Sequence, residues 1–221
     1  EGTNVAYAKT LEDAGFMAVQ AVRGETLKSA WNETQAETLS AIAKRERAVF
    51  GTRQKYIRGL YSGGTLTYEA MLLGKDVLEG IHSNIKMEGA SLLKQVKKSE
   101  GHTFLDMGDD YFTDGRPHPM IDPRLRLQRM ESEIEDPEVA VILFDILLGY
   151  GSHEDAAGAV LPAIEKAKSL KKTIVFIATI CGTDEDFQGL EAQAAKLAEA
   201  GVLVMNSNAE ASRLAMMMVQ G

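Results

Sequence analysis

Hydrophobic residues along the chain follow two different rhythms, and the change comes near residue 50. Before it, Leu11, Ala14, Ala18, Ala21 and Val22 recur at spacings of three and four, the period of an amphipathic helix. Gly24 ends that run. Leu27, Trp31, Thr34, Thr38 and Ile42 then line one side of a second helix, whose last turns, Lys44–Arg47, are basic. Residues 1–50 thus predict a helical hairpin lead-in, packed on the main domain or on a partner. From residue 51 onward, short apolar runs alternate with helical ones. Lys55–Tyr61, Thr103–Met107, Val139–Ile146, Thr173–Ile180 and Val202–Met205 read as strands. Thr65–Leu73, Pro123–Glu135, Glu154–Leu170, Asp184–Ala200 and Ala209–Val219 read as helices, and Asp76–Lys98 as partly helical.

Strands this apolar, with little alternation, are buried on both faces, as in a parallel sheet covered by helices on each side. The predicted fold of residues 51–221 is therefore α/β: a flavodoxin-like, doubly wound, parallel five-stranded sheet in a three-layer sandwich, with strand order 2-1-3-4-5. Open sheets of this kind bind ligands outside the carboxyl ends of their strands. The loops that matter are Tyr61–Thr65, Met107–Asp122, Leu147–Glu154, Ile180–Asp186 and Met205–Ala209.

The first of these loops carries the clearest chemistry. Ser62, Gly63, Gly64, Thr65 and Thr67 follow a strand and open a helix. The glycines let the backbone turn and a ligand approach, and the first helical amides have no internal partner. With hydroxyls nearby, such a turn suits a phosphate or carboxylate, although it also reads as a plain helix cap. In the second loop, Arg116 could clamp an anion through its forked guanidinium, and His118 lies in a Pro-His-Pro turn. Asp106, Asp109, Asp110, Asp114 and Asp122 could hold Mg²⁺ or serve turn chemistry. In the third loop, Gly151, Ser152 and His153 precede a helix that Ser152 and Asp155 could cap. The candidate substrate-binding set is Asp109, Arg116, His118, Gly151, Ser152 and His153; His82 and His102 read as structural, and Cys181 as inert. No zinc spacing, Walker A run or hydrolase elbow is present, and no catalytic residue is assigned.

Composition narrows the class. The net charge of −8 disfavours nucleic acid, and the lysines at 94–98 and 166–172 fall at ends of predicted helices, where they complement the helix dipole. No apolar run reaches membrane-spanning length, no secretory signal stands at the start, and the single cysteine fits a reducing compartment. A cytoplasmic location is expected. The chain begins with Glu1 rather than Met and reads as a piece of a longer protein.

The run Ser62–Ala70 resembles the S-G-T-L-T-Y-E-A segment of the succinyl-CoA synthetase α-subunit, whose helix N-terminus faces a phosphohistidine phosphate. Further landmarks follow in the same order over about residues 53–220: Met107–Asp110, Gly115–Asp122, Asp136-Pro137 and Gly149–Ala157. Arg58–Leu66 and Gly115–Pro123 resemble the FdrA branch of that acyl-CoA synthetase superfamily most closely. The chain departs from the synthetase at Cys181–Asp186, where the loop carrying the phosphorylated histidine would stand. The resemblance implies a subunit that binds a phosphate, acyl phosphate or carbamoyl phosphate without a phosphohistidine relay. It implies a place in a multi-subunit oxamate carbamoyltransferase of purine and allantoin degradation, with Arg116 as the oxamate clamp. CoA or a nucleotide would come through a domain absent from this chain, with Mg as a further candidate. Expected partners are a small phosphorylated or carboxylate substrate and other subunits, in an oligomer. The competing expectation is a non-catalytic scaffold or regulatory subunit with a relic anion site.

Overall fold

The computed structural model describes residues 5–220; the first four residues of the expected lead-in at residues 1–50 and the final residue lie outside the described part. The strands are β1 (Tyr56–Tyr61), β2 (Ile81–Ser83), β3 (Ser91–Leu92), β4 (His102–Asp106), β5 (Val139–Leu147), β6 (Val175–Cys181) and β7 (Leu203–Met205). They form one parallel sheet in the order β3-β2-β4-β1-β5-β6-β7. Without β2 and β3 this is the expected 2-1-3-4-5 order. The helices are α1 (Leu11–Val22), α2 (Glu33–Arg47), α3 (Gly64–Gly74), α4 (Asp110–Thr113), α5 (Arg124–Glu135), α6 (Leu161–Ser169), α7 (Leu190–Glu199) and α8 (Asn208–Gln220).

Two apolar layers explain the runs of strand hydrophobics. Ile142, Phe144 and Ile146 of β5 pack with Met130 and Ile134 of α5, Ile164 of α6 and Leu197 of α7. Val141 and Leu143 point the other way, into a layer with Leu39 and Ala43 of α2, Ala70 and Met71 of α3, and Leu214 and Met218 of α8. Successive side chains of a strand face opposite sides, so a strand covered on both must be apolar throughout.

Three expectations need correction. Asp76–Lys98 is not helical: its two short strands extend the sheet to seven, and Gly80 and Gly89 sit at φ 70° and 88°, left-handed positions that interrupt a helix. Helix α6 begins at Leu161 rather than Glu154, after a 3₁₀ turn at Gly158–Val160, because Pro162 belongs in a first turn. Helix α7 begins at Leu190 rather than Asp184, behind Gly189 at φ 70°.

The hairpin is present, but α1 is turned differently from its apolar stripe. Leu11 and Val22 remain 51% and 90% exposed, while Asp13 and Gln20 are buried. Both polar side chains serve the connecting turn. The Asp13 carboxylate accepts from Ser29 Oγ (2.7 Å) and the Ala30 amide (2.8 Å), and Gln20 Oε1 accepts from the Lys28 amide (2.8 Å). Helix α2 starts with a full capping box between Asn32 and Gln35. Glu69 of α3 joins the hairpin to the sheet domain by accepting from the Leu11 amide (2.7 Å) and from Asn208 Nδ2 of α8 (2.8 Å).

His102, at the start of β4, takes the structural role expected of it. Its Nδ1 accepts from the Ile57 amide at 3.2 Å. Burial, with the charges of Arg58 and His82, pushes its pKa down to about 4. An unfolded histidine protonates near 6.5, so between those values the unfolded chain binds the extra proton. Stability is present in full above about pH 6.5 and falls by up to roughly 3 kcal/mol as pH drops through that window. His102→Asn keeps an acceptor and cannot titrate. Its stability loss between about pH 7.5 and 4.5 should be visibly smaller than that of the unaltered chain in urea titrations; equal losses would exclude His102 as the cause.

Candidate functional site

Strand β1 ends at Tyr61, and Ser62 and Gly63 lead into α3 at the carboxyl rim of the sheet. Gly63 is the N-cap in an extended conformation, no side chain caps the helix, and its first turn holds no acidic residue. The leading amides of α3 are therefore free to meet a negative group. Gly63 and Gly64 are half-buried and Thr65 is exposed.

The neighbouring hydroxyls are turned inward. Ser62, 1% exposed, donates from its amide to Asp145 Oδ1 (2.8 Å) and holds its Oγ against the same oxygen (3.1 Å). Arg126 Nη1 donates to Ser62 Oγ (2.7 Å), to the Asp145 carbonyl (2.7 Å) and to its carboxylate (3.0 Å). This buried Ser62–Asp145–Arg126 knot fixes the turn between β1 and α3. Thr67 Oγ1 donates back to the Gly63 carbonyl at 2.8 Å. Of the glycine-rich run, Gly63, Gly64 and Thr65 are left at the opening.

A carboxylate stands beside that opening. Asp106, the last residue of β4, lies so close to Gly64 that a Cβ there would come within 3.0 Å of its Oδ2. Its Oδ1 accepts from the Gly108 amide (2.9 Å), and its backbone is held on both sides by Asn84 (3.0 and 2.9 Å). Burial raises the Asp106 pKa, the Gly108 amide opposes this, Asp109 adds to it, and His118 lowers it again. His118 Nε2 lies over Gly108, where a Cβ would meet it at 2.6 Å and Asp106 Oδ1 at 3.2 Å. Gly108 is thus the position that lets ring and carboxylate approach one another. His118 Nδ1 accepts from the Met120 amide (3.3 Å), so in the neutral ring Nε2 carries the proton.

The loops after β4 and β5 are joined, because the His153 amide donates to the Met120 carbonyl (2.8 Å). His153 Nδ1 accepts from the Asp155 amide (3.0 Å). Gly151 adopts φ 85°, and Ser152 Oγ donates to the Gly149 carbonyl (3.0 Å) rather than capping a helix. Asp109 is the N-cap of α4 through the Tyr111 amide (3.0 Å). Arg116 is exposed and lines a cavity of about 770 Å³ with Tyr111, Phe112, Leu125 and Gln128; the α3 opening is not part of its lining. Among the described residues no three His, Cys, Asp or Glu side chains are placed to hold a metal ion. No helix among them is long and apolar enough to cross a membrane.

Sequence patterns miss the roles of Asp106, Gly108 and Asn84. The only available signal was a carboxylate at the end of a strand, and four further aspartates in residues 109–122 share that signal.

The chain is 44% identical over 173 residues to YahF of Escherichia coli strain K12, a protein described as uncharacterized; the match covers 76% of this chain and 34% of YahF. It spans about a third of that relative's length. The crystal structure of PH0766 from Pyrococcus horikoshii OT3 superposes with a TM-score of 0.42 at 10% identity, over 94% of this chain and 43% of that one. The CoA-ligase family model matches residues 60–218, from the end of β1 through nearly all of α8, and so takes in the α3 opening and the Asp106–His118 pair. On that match the chain belongs to the CoA-ligase family.

Proposed function

We propose that this chain is an FdrA-like module that binds the phosphoryl group of an acyl or carbamoyl phosphate at the α3 opening, as one part of a multi-subunit oxamate carbamoyltransferase. The observation that carries this reading is the uncapped start of α3 at the carboxyl rim, with Gly63 and Gly64 admitting close approach. Bare amides and the helix dipole stabilise the charge that gathers on phosphate as it leaves. In carbamoyl transfer the acceptor nitrogen bonds to the carbonyl carbon, the carbon–oxygen bond to phosphate breaks, and the nitrogen loses a proton. Asp106, with its pKa raised by burial, is placed to take that proton. His118, protonated at Nε2, is placed as a donor toward the developing anion.

Two glycines and a threonine beside a carboxylate fit a compact oxyanion rather than the long uncharged arm of CoA. Neither CoA nor a nucleotide is therefore assigned to the α3 opening. Arg116, expected as the oxamate clamp, opens instead into the cavity along α5.

Two substitutions test the opening from opposite sides. Thr65→Glu places a carboxylate in the first turn of α3, where it should add about 0.3–1 kcal/mol of stability and yet weaken phosphate binding at least about tenfold. Asp106→Asn removes the like charge and should tighten binding about tenfold. Sulfate, a dianion across the working range, should bind more tightly as pH falls toward the raised Asp106 pKa, and Asp106→Asn should flatten that dependence. Calorimetric titration reads all three. Unchanged phosphate affinity in both variants would sink the proposal.

A second reading, a scaffold with a relic anion site, is favoured by the inward Ser62 and Thr67 hydroxyls and by a carboxylate at the opening. It predicts no phosphate or sulfate binding by the unaltered chain or by Asp106→Asn.

A further inference from the structure

The helical hairpin does not seat flush on the sheet domain. Between α1, the turn after it and the far ends of α3 and α8 lies a cavity of about 420 Å³, the size of a cleft for a small ligand. Most of its wall is apolar: Met17 from α1, Trp31 from the turn, Leu73 from α3, and Met216 and Met217 from α8. Unbranched methionine side chains repack readily around a guest. The same wall carries two buried side chains of opposite charge, Asp13 and Arg213, with Lys9 exposed beside them.

Arg213 is the unusual group. Its side chain is only 12% exposed, yet it makes no hydrogen bond among the described residues, although a guanidinium carries five donors. Its ion pair with Glu12 runs through Nη1 at 3.6 Å, beyond hydrogen-bond length, and both of those atoms are buried without a hydrogen bond. Trp31 fixes the guanidinium instead, with its ring centroid 4.2 Å from Cζ. Burial works against the charge on Arg213, and Glu12 and then Asp13 offset this. Buried polar groups are nearly always hydrogen-bonded, so this fork of donors is short of an acceptor.

Asp13 is its counterpart. Burial raises its pKa, but hydrogen bonds from Ser29, the Ala30 amide and Thr10, with the charge of Arg213, hold it below the ordinary value. The Ser29 and Ala30 bonds both fall on Oδ1, which leaves Oδ2 with acceptor capacity. Asp13 and Arg213 feel one another's charge and still form no ion pair with one another. Two opposite charges held apart in one apolar cavity match a molecule that carries both charges on a small head group.

We propose that this cavity binds an apolar α-amino acid, with its carboxylate on Arg213, its ammonium on Asp13 and its side chain among Met17, Leu73, Met216 and Met217. The site shares no lining residue with the α3 opening and stands whether or not phosphate binds there. Its walls come from both the hairpin and the sheet domain, so the ligand clamps the two together.

The experiment is calorimetric titration of the 221-residue chain with L-leucine, isocaproate, isoamylamine and glycine. Isocaproate is leucine without its ammonium group, isoamylamine is leucine without its carboxylate, and glycine lacks the apolar arm. Leucine should bind at least about tenfold more tightly than any of the three, because the site holds all its parts at once. Asp13→Asn keeps the Oδ1 acceptor for Ser29 and Ala30 and removes the charge; it should weaken leucine about tenfold and leave isocaproate no weaker. Arg213→Gln should weaken leucine and isocaproate about tenfold each and leave isoamylamine no weaker. Met217→Trp fills the half-buried apolar wall without touching either charge and should weaken leucine as well, which keeps the test open if a charge variant unfolds. Leucine should also raise the melting temperature of the unaltered chain more than that of any variant. An analogue binding as tightly as leucine, undiminished leucine affinity in the variants that fold, or no leucine binding at all would overturn the proposal.

Discussion

Asp145→Ala is expected to cost about 3–5 kcal/mol of stability, because it leaves a buried guanidinium without its counter-charge. Arg126 and Asp145 are both almost completely buried, and Arg126 Nε already has no partner among the described residues. Burial works against the charged form of Arg126, and Asp145 is the charge that offsets this. For a chain of this size the melting temperature should fall by roughly 6–20 °C. The same substitution frees the Ser62 amide and hydroxyl, so the turn that aims the amides of α3 loses its anchor. Phosphate binding should weaken even at temperatures where the variant is fully folded. The double variant Arg126→Met/Asp145→Leu removes both charges and should recover most of the stability, since a buried pair replaced by apolar groups is often neutral. Urea denaturation of the three proteins decides the point. A loss below about 1 kcal/mol for Asp145→Ala, the size of an ordinary surface change, would show that the knot holds nothing together.

That knot also shows where sequence reading stops. The strands were legible because burial on two faces forces apolar runs, and their order followed from the topology such sheets adopt. Strands β2 and β3 were not, because segments of three and two residues leave no period to detect and are held by backbone pairing to β4 and to one another. The apolar stripe of α1 predicted the wrong inward face. Asp13 and Gln20 are drawn in by unsatisfied amides of the turn at residues 28–30, and periodicity carries no information about such bonds. In the site, Gly63 and Gly64 announced a turn into a helix. Ser62 looked like a ligand donor beside them, yet its partners lie 64 and 83 residues away, at Arg126 and Asp145. Asp106 could be placed at a strand end but not distinguished from its acidic neighbours. Its approach to His118 depends on Gly108, whose missing side chain matters only once the loops are folded together.

Glu133→Ala is expected to be as damaging as Asp145→Ala, by the same physics at the opposite end of the sheet. Its carboxylate accepts from Arg58 Nε (2.8 Å), Arg129 Nε (2.5 Å) and Ser99 Oγ (2.6 Å), and all but Ser99 are buried. Arg58 also pairs with Asp136 (2.7 Å) and donates to the Gly101 carbonyl, while Arg129 has no other carboxylate among the described residues. Removing Glu133 should cost about 3–5 kcal/mol, most of it from Arg129. Glu133→Gln keeps the shape and one acceptor and should fall between the two. The network has a local consequence, because Arg129 ties the Val96 carbonyl and Ser99 to α5 and so fixes the wall from which Lys97 reaches into the cavity that Arg116 lines. Glu133→Gln should nevertheless leave phosphate affinity at the α3 opening within about twofold, because that opening lies at the carboxyl end of β1, away from the network. If calorimetry finds phosphate affinity lost at a temperature where the variant is still folded, the damage is global and not confined to the surroundings of Glu133.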